Sequence, residues 1–330
     1  MKKTWMNISD VLFFQEGPGV RNTQYTTKGV KLLNVANLVD GKVDLTTSSR
    51  YISEEEAKGK YTHFLCDAGD FIIASSGIKV EYIDKKMGFI DESMLPLCMN
   101  TSTIRFKVLN EEQLRIRYFM YYLKSQDFKQ QLFKQITGSA QLNYGPSHLK
   151  KMMIPLIDIN EQDKMIARLD KIQDIVEMRK QEMDKLNNLI KARFVEMFGD
   201  ENNSKNWNIV NIEEVADVQV GVVIKPAQYY TDEEQGVRAF RSLNIGSGFV
   251  KDSDWVYFTE EGHQKNSKSI LKENDLLIVR SGAPGTACVV TKEYAGCNAI
   301  DIIIAHPDCQ KVNPYYLCIF TNMPHGKKQI

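Results

Sequence analysis

The feature that most limits how this chain can fold is an internal repeat. When the sequence is compared with itself at an offset of about 200 residues, segments recur in the same order, which indicates one structural unit that occurs twice. Within each copy, short strand-like runs and turn residues precede one amphipathic helix, which predicts a mixed α/β (α+β) domain. The matched pairs are 5–11 with 207–215, 24–30 with 228–237, 37–43 with 244–250, 51–55 with 257–261, 70–77 with 275–282, and 121–136 with 315–330.

The segment between the copies has a different pattern. From Asn160 to Phe198, apolar residues recur at alternating steps of four and three, between charged flanks and without Gly or Pro. A seam of this length predicts a long coiled-coil helix, on the order of 60 Å from end to end. Arg179 and Arg193 interrupt the seam, and Gly199 ends the helix. Because one helix cannot bury its own seam, it needs a partner. The seam consists of Met165, Leu169, Ile172, Val176, Met183, Leu186, Ile190 and Met197.

These patterns divide the chain into a first domain at 1–157, a central spacer helix at 158–200 and a second domain at 201–330. The predicted fold class is therefore a tandem pair of mixed α/β domains joined by a long coiled-coil helix. The second copy stops at the counterpart of Ile136. We therefore expect a second domain that is incomplete on its C-terminal side, without a second spacer helix.

The overall charge is balanced, with 42 Lys and Arg against 42 Asp and Glu, which argues against a partner held by bulk charge alone. The distribution is uneven, because residues 1–157 carry a net +5 whereas 158–200 carry −2 and 201–330 carry −3. Basic residues of the first domain concentrate near its beginning, among Asn, Gln, Thr and Tyr. This composition suits contacts with nucleic-acid phosphates and grooves, and it is equally typical of an ordinary solvated surface.

Metal, membrane and secretion signals are weak or missing in the sequence. The six Cys form no C-x-x-C pair, and reduced core thiols are the favoured interpretation. A metal site near His306 and His325, where four of the Cys fall, is the less favoured alternative. The N-terminus lacks an apolar signal segment, and no run approaches 18 apolar residues, so we expect a cytoplasmic protein with no membrane partner.

Motifs for covalent chemistry are equally weak. The segment Asn313-Pro314-Tyr315-Tyr316 is similar to the adenine-binding motif of amino-methyltransferases but lacks its second proline, and its place in the repeat predicts a helix start instead. The glycine-rich segment 282–286 lacks the lysine of a P-loop, which favours a tight turn over a phosphate contact. We therefore expect a non-catalytic protein that holds no metal or cofactor.

Taken together, the tandem domains and the long helix resemble the DNA specificity (S) subunits of type I restriction-modification systems. The resemblance covers the whole chain, and its most specific part is the G-[ST]-x-Q stretch that precedes a proline-containing strand and a helix beginning Glu-Gln. It rests on Lys3-Thr4-Trp5 with Asp10-Val11, the segments that begin at Asn37 and Asn244, the strand ends at Ser76-Gly77 and Arg280-Ser281-Gly282, and Thr137 to Tyr144 with Ile154-Pro155-Leu156 and Glu161-Gln162.

The resemblance implies a division of labour between subunits. Each domain would be a target recognition domain that reads one half of a bipartite site in double-stranded DNA. The helix would set the spacing and dock methyltransferase (M) subunits, which would bring S-adenosylmethionine. A restriction and translocation (R) subunit would bring ATP and Mg²⁺, so no cofactor is expected in this chain.

Polar residues in loops that follow strands are the candidates for DNA contact. In the first domain these are Arg21, Lys28, Ser75, Ser76, Gln141, Asn143 and Tyr144. In the second domain they are Lys225, Gln228, Arg241, Arg280 and Ser281.

The main alternative is an inactive or split fragment that acts as a coiled-coil assembly or scaffold protein without a role at DNA. In either case the unpaired seam predicts self-association or binding of a second S-type fragment.

Overall fold

The computed structural model describes residues 4–77, 79–136, 143–200 and 202–330. Their contacts divide the chain into two compact units, Met1–Arg179 and Lys180–Ile330. The division falls inside the central helix rather than at either of its ends, because each end of the helix packs against a different unit.

The first unit combines short strands with short helices. Its strands are β1 (Thr4–Asn7), β2 (Leu12–Glu16), β3 (Val30–Leu33), β4 (Leu38–Val39), β5 (Lys42–Val43), β6 (Tyr51–Ile52), β7 (Phe71–Ala74), β8 (Met87–Phe89), β9 (Leu97–Met99), β10 (Thr103–Val108) and β11 (Met153–Leu156). Its α-helices before the central helix are α1 (Ile8–Val11), α2 (Glu54–Lys58), α3 (Ile116–Leu123), α4 (Gln126–Gln135) and α5 (Pro146–Leu149).

The sheets of the first unit are small and mostly antiparallel. A four-stranded sheet has the order β2-β10-β7-β8, and a three-stranded sheet has the order β6-β3-β9 with β3 and β9 parallel. Two further pairs are β4 with β5 and β1 with β11. The core between the larger sheet and helices α3 and α4 is aromatic. Phe106 lies 4.9 Å from Phe119 between ring centroids, and Phe128 packs edge-on against Phe119 at 6.2 Å.

The central helix α6 (Ile159–Phe198) is continuous, so the long helix predicted from the heptad pattern is confirmed. Its first turn is fixed by Gln162, which is fully buried, accepts a bond from the Arg115 amide at 3.0 Å and donates to the Gln113 carbonyl at 2.9 Å. Further along the helix, Asp170 accepts from the Tyr121 hydroxyl at 2.5 Å. The pKa of the Tyr121 phenol is raised to about 12, mainly by burial and further by the Asp170 carboxylate. These contacts attach the beginning of α6 to the first unit.

The last turns of α6 belong to the second unit. Phe194 is buried and stacks on Tyr316 with ring centroids 5.5 Å apart, and Phe198 meets the same tyrosine edge-on at 4.9 Å. Between the two attached ends, the apolar side chains of the seam from Ile172 to Ile190 are exposed.

The second unit repeats the plan of the first. Its strands are β12 (Ala216–Val220), β13 (Tyr230–Thr231), β14 (Val237–Phe240), β15 (Val256–Phe258), β16 (Leu276–Val279), β17 (Ala287–Val289), β18 (Asn298–Ala299) and β19 (Ile302–Pro307), and its further α-helices are α7 (Glu260–Lys265), α8 (Pro314–Asn322) and α9 (Pro324–Lys327). The sheet orders β12-β19-β16-β17 and β13-β15-β14-β18 correspond to those of the first unit, with β13 added. The predicted repeat is therefore confirmed as a repeat of topology.

Repeated polar side chains hold the two copies in the same shape. Asn37 and Asn244 are both fully buried, and each accepts a bond from the amide three residues earlier at 2.9 Å. Ser53 caps α2 and Thr259 caps α7, each by accepting from the amide three residues later. These side chains satisfy backbone groups that would otherwise be buried without a partner. Several matches in the sequence repeat are therefore explained by folding alone.

A buried aspartate at the same position in the two units has a different partner in each. Asp70 is held by Arg105, whose guanidinium also donates to the Leu65 and His63 carbonyls at 2.8 and 2.7 Å. Its counterpart Asp275 accepts a 2.6 Å bond from His306.

Candidate nucleic-acid interface

The two units differ most clearly in the loop that joins the inner strand of the larger sheet to its edge strand. In the first unit residues 75–86 connect β7 to β8, and in the second unit a shorter segment, 280–286, connects β16 to β17. Both loops are closed by an equivalent backbone bond. The Ala74 amide donates to the Lys86 carbonyl, and the Val279 amide donates to the Thr286 carbonyl, each at 2.8 Å. The same sheet therefore carries loops of different length and chemistry.

The base of the first loop is fastened to the segment that begins at Asn143. Ser76 and Asn143 form an isolated antiparallel bridge, so two residues chosen as DNA-contact candidates lie side by side. Asn143 is exposed and Ser76 is half-buried. Another candidate of this segment, Gln141, lies outside the described residues.

Two of the predicted contact residues point inward. Tyr144 is buried, and its hydroxyl donates to the Ala74 carbonyl at 2.9 Å while its amide donates to the Ser75 carbonyl at 3.0 Å. Burial raises the pKa of the Tyr144 phenol well above its ordinary value, so the hydroxyl remains a donor. Ser75 is also buried and donates to Glu16 at 3.3 Å. In this structure both residues fix the base of the loop.

The outer part of the first loop is basic and aromatic. A shallow depression there is lined by Lys79, Tyr82, Lys85 and Lys86, together with Asp40, Val39 and Gly77. The Lys85 ammonium lies over the exposed Tyr82 ring, 5.3 Å from its centroid. The nearby carboxylate of Asp84 is paired with Lys129 at 2.9 Å, so the exposed Glu81 and the lining Asp40 are the carboxylates that face the three loop lysines. We name Lys79, Tyr82, Lys85 and Lys86 the loop cluster.

The loop cluster is not among the residues predicted from the sequence, which were polar residues in loops that follow strands. The available signal was the extra length of 75–86 relative to 280–286 in the repeat, together with the adjacent Lys85 and Lys86.

Arg21 and Lys28 lie elsewhere in the first unit, in the segment that leads into β3. Both are exposed. On the same small sheet, the Arg50 guanidinium lies over the Tyr25 ring at 5.2 Å and the Lys31 ammonium over Tyr51 at 5.5 Å. Stacking of cations on aromatic rings holds these side chains at the surface with their charge available to an anion.

In the second unit, the loop 280–286 is the tight turn that the glycine pattern favours. Gly282 and Gly285 both adopt positive φ angles, 88° and 76°, and the Gly285 amide donates back to the Val279 carbonyl at 3.0 Å. Arg280 and Ser281 begin this loop and are exposed. Arg280 forms an exposed ion pair with Asp301 at 3.3 Å, a type of pair that contributes little to stability and is easily exchanged for another anion.

Of the other residues predicted to contact DNA in the second unit, two are exposed and one is hydrogen-bonded within the unit. Lys225, at a φ of 45°, directly precedes the short 3₁₀ turn Pro226–Tyr229, and Gln228 lies within that turn; both side chains are exposed. Arg241 is half-buried, and its guanidinium donates to the Asp254 carbonyl. The structure therefore places Arg241 against its own unit, whereas Lys225 and Gln228 remain accessible.

Other sequence motifs are accounted for by the fold. Asn313 caps α8, accepting from the Tyr315 amide at 2.8 Å, so this motif begins a helix as predicted. All six Cys are free thiols, and only Cys309 is exposed. Within the described ranges, no group of three or more His, Cys, Asp or Glu side chains is arranged to hold a metal ion. In that same part of the chain, no helix is both long and apolar enough to cross a membrane.

Comparison with known proteins gives one consistent family. A family model described as the type I restriction modification DNA specificity domain matches residues 8–188. The type I restriction enzyme MjaVIII specificity subunit of Methanocaldococcus jannaschii is 25% identical over 185 residues, which make up 55% of this chain and 42% of that relative. The chain thus spans less than half the length of this curated relative.

Two solved structures share the fold along nearly the whole chain. The crystal structure of a type I restriction-modification S subunit from M. genitalium gives a TM-score of 0.51 at 16% identity, and the match covers 97% of this chain and 77% of that one. A structure of complex assembly and conformational transition in the type I R-M system gives 0.50 at 15% identity, covering 99% and 81%. These likenesses confirm the predicted fold class of mixed α/β domains with a long helix.

Proposed function

Because the chain belongs to the type I restriction-modification DNA specificity family, whose model matches more than half of its length, we propose that it is the DNA sequence-specificity subunit of a type I restriction-modification complex. Its two repeated domains, at 1–157 and 201–330, each read one half of a bipartite site. The spacer helix at 158–200 sets the distance between the halves. The chain itself is not catalytic.

The loops on the repeated sheet support this proposal independently of family membership. The same four-stranded sheet occurs in both units, and its two copies carry loops that differ in length and in side chains at the same position. A constant scaffold with variable loops is typical of recognition proteins, because loop residues can change without loss of the core. Two such readers on a stiff connector favour a site made of two separated halves.

In the first unit, different residues contact the phosphates and the bases of the DNA. Lys79, Lys85 and Lys86 neutralise phosphates, which supplies affinity without sequence preference. Asn143 and Ser76 read base edges, since an amide side chain can pair with two groups of adenine in the major groove. Arg21 and Lys28 extend the phosphate contact onto the smaller sheet.

In the second unit, Arg280 and Ser281 at the start of the turn take the corresponding place, and the exposed Lys225 and Gln228 add further contacts. The Arg280 guanidinium exchanges Asp301 for guanine or a phosphate, both of which it can bind through two parallel hydrogen bonds. Arg241 holds its own loop against Asp254 and supports the site without touching DNA.

The partner proteins supply the chemistry. Methyltransferase subunits dock on the exposed seam of α6 and bring S-adenosylmethionine, and a restriction subunit brings ATP and Mg²⁺. No part of this chain is assigned to any of these cofactors.

The proposal is tested by DNA binding of the full chain together with its methyltransferase subunit. We expect a sequence-biased shift of duplex DNA, and sequencing of methylated adenines in a host that carries both proteins should reveal a bipartite motif. A complex that forms but shows no sequence bias would favour the scaffold alternative.

Variants of the loop cluster make the test specific. Replacement of Lys79, Lys85 and Lys86 together by Ala should weaken binding equally for all sequences. It should also reduce the slope of log K against log salt by roughly 0.9 for each phosphate that is no longer neutralised. Asn143→Ala should instead lower discrimination at one base pair by about 1–3 kcal/mol. Lys134→Ala, an exposed lysine of the same unit outside the loop, is the matched control and should change neither quantity.

A further inference from the structure

The loop that follows the edge strand of the larger sheet occupies the same place in the two units. It consists of residues 17–25 after β2 and of residues 221–229 after β12. Gly17 and Gly221 each donate their amide, at 2.9 Å, to the carbonyl of the first residue of the adjacent strand, β10 or β19. The two loops align from these glycines onward without a gap, so their residues can be compared one by one.

The equivalent residues Val20 and Ile224 point in opposite directions. Val20 is 5% exposed and packs in the apolar cluster of the smaller sheet, whereas Ile224 is 79% exposed. In the second unit, Val222 packs against the matching cluster, which contains Ala239 and Phe258. The residues that cover Val20 all have counterparts within the second unit. Ile224 is therefore exposed because its own loop turns outward.

The residue that follows Ile224 sets this outward turn. Arg21 of the first unit is extended, with a φ of −80°, whereas its counterpart Lys225 lies in the left-handed region, with a φ of 45° and a ψ of 51°. This conformation is uncommon for a lysine and is typical of positions where the surrounding structure imposes the backbone geometry. The same turn places the exposed Lys225 next to Ile224.

Hydrogen bonds fix the base of the loop in the second unit. The Val222 amide donates to the Ala299 carbonyl at 2.8 Å, and the Val222 carbonyl accepts from the Asp301 amide at 3.1 Å. Val223, which is 50% exposed, and Ile224 follow directly. We name Val223 and Ile224 the apolar tip. Its two branched side chains are held outward on a backbone that is anchored immediately before them.

The apolar tip lies at the same end of the larger sheet as Arg280. Since β12 and β16 both pair antiparallel with β19, they run parallel to each other, and their C-terminal ends flank the start of β19. β12 leads into the apolar tip, and β16 leads into Arg280. Asp301 connects the two, because its amide donates to Val222 and its carboxylate pairs with Arg280 at 3.3 Å.

Two exposed cations accompany the apolar tip, Lys225 next to it in the chain and Arg280 at the end of β16. Their charge favours a polyanion as the partner. On duplex DNA, phosphates and guanine can bind the cations. A branched apolar side chain beside them finds its partner in the major groove in the C5-methyl group of thymine.

We propose that the apolar tip reads thymine, with Ile224 and Val223 in contact with the C5-methyl group of one thymine in the half-site bound by the second unit. This inference rests on the proposed function and deepens it, because it assigns base recognition to apolar residues. The residues predicted from the sequence to contact DNA are all polar. Thymine and uracil share their hydrogen-bonding groups and differ only in this methyl group, so the contact can be tested separately from all polar ones.

The test measures binding of the full chain with its methyltransferase subunit to a duplex that carries the methylated motif, by fluorescence anisotropy. Each thymine of the motif is replaced in turn by deoxyuridine, which removes the methyl group and keeps the base pair. We expect one replacement to weaken binding about fourfold, the loss that corresponds to one apolar carbon group. Ile224→Ala should weaken binding to the thymine duplex and abolish the effect of that replacement.

Two variants serve as controls. Ile209→Ala is the matched one, since Ile209 is 80% exposed but precedes β12, at the other end of that strand, and this variant should respond to deoxyuridine as the unaltered chain does. Lys225→Gly removes the ammonium and keeps a residue that tolerates the left-handed backbone. It should weaken binding for all sequences and retain the response to deoxyuridine.

An affinity that no deoxyuridine replacement changes would overturn the inference. So would an equal response to deoxyuridine in Ile224→Ala and in the unaltered chain. If Ile224→Ala weakens binding but both chains ignore the replacement, the apolar tip contacts DNA without reading thymine, and the inference is wrong. Binding with no sequence bias contradicts the proposed function as well, whereas a sequence bias without any response to deoxyuridine contradicts this inference alone.

Discussion

Arg105 shows at the scale of a single residue how the first unit tolerates charge in its core. The ion pair of Arg105 and Asp70 is almost completely buried, and the same guanidinium satisfies two backbone carbonyls. Such a pair adds less to stability than its geometry suggests, because both charges lose their water. Removal of Arg105 alone is costly, since Asp70 stays buried with only Lys107 as its cationic partner at 3.2 Å, and the Leu65 and His63 carbonyls lose their donor.

We therefore predict that Arg105→Ala lowers the free energy of unfolding by about 3–5 kcal/mol in urea titrations. Arg115→Ala is the control, because Arg115 pairs with Asp163 at the surface and such pairs contribute at most about 1 kcal/mol. Similar destabilisation in the two variants would show that the burial of Arg105 is not what matters.

Predictions for single residues were correct where the residue interacts with its near neighbours in the sequence. The helix start at Asn313 and the tight turn at 282–286 depend on near neighbours, and both are found. The inward direction of Ser75 and Tyr144 could not be predicted, because it depends on partners that are distant in the sequence, Glu16 and Ala74. The sequence alone does not distinguish a polar residue after a strand that faces solvent from one that closes a loop.

At the scale of elements, the central helix could be predicted almost to its ends, because its heptad pattern lies within one continuous segment. The pairing of β1 with β11 could not, since it joins residues about 150 positions apart and short strands carry no register signal. The loop cluster was missed for a related reason. Only comparison of two loops on equivalent strands makes its extra residues visible.

The middle of α6 gives a prediction about partner binding. Met183, Leu186 and Ile190 are more than half exposed, so their apolar surface adds little to the stability of the chain itself. Leu186→Glu should leave the free energy of unfolding unchanged within about 0.5 kcal/mol. It should weaken binding of the methyltransferase subunit at least tenfold, as measured by calorimetry.

The buried Phe194 of the same helix is the contrasting variant. Phe194→Ala removes the stack on Tyr316 and should destabilise the second unit by about 3–5 kcal/mol. Light scattering of the chain alone is the second readout. A dimer that Leu186→Glu converts to a monomer would assign the seam to self-association rather than to the methyltransferase.

At the scale of the whole molecule, the two units are separate compact bodies that share one helix. If each reads its own half-site, changes in one unit should not alter preference in the other half. Lys85→Ala in the first unit and Arg280→Ala in the second should therefore have additive effects on DNA affinity, within about 0.5 kcal/mol. Titration of duplexes altered in one half at a time checks this. Strong coupling would mean that both units contribute to one continuous site.

The backbone bond at the base of each loop, 75–86 and 280–286, determines how freely the loop between its ends can vary. The Ala74 and Val279 amides fix the ends of the two loops in the same way, whatever lies between. Doubling the length of a loop costs only about 0.6 kcal/mol of closure entropy. Insertions, deletions and substitutions in the segment that each bond closes can therefore alter a loop at a small cost in stability, while the rest of the domain keeps its fold.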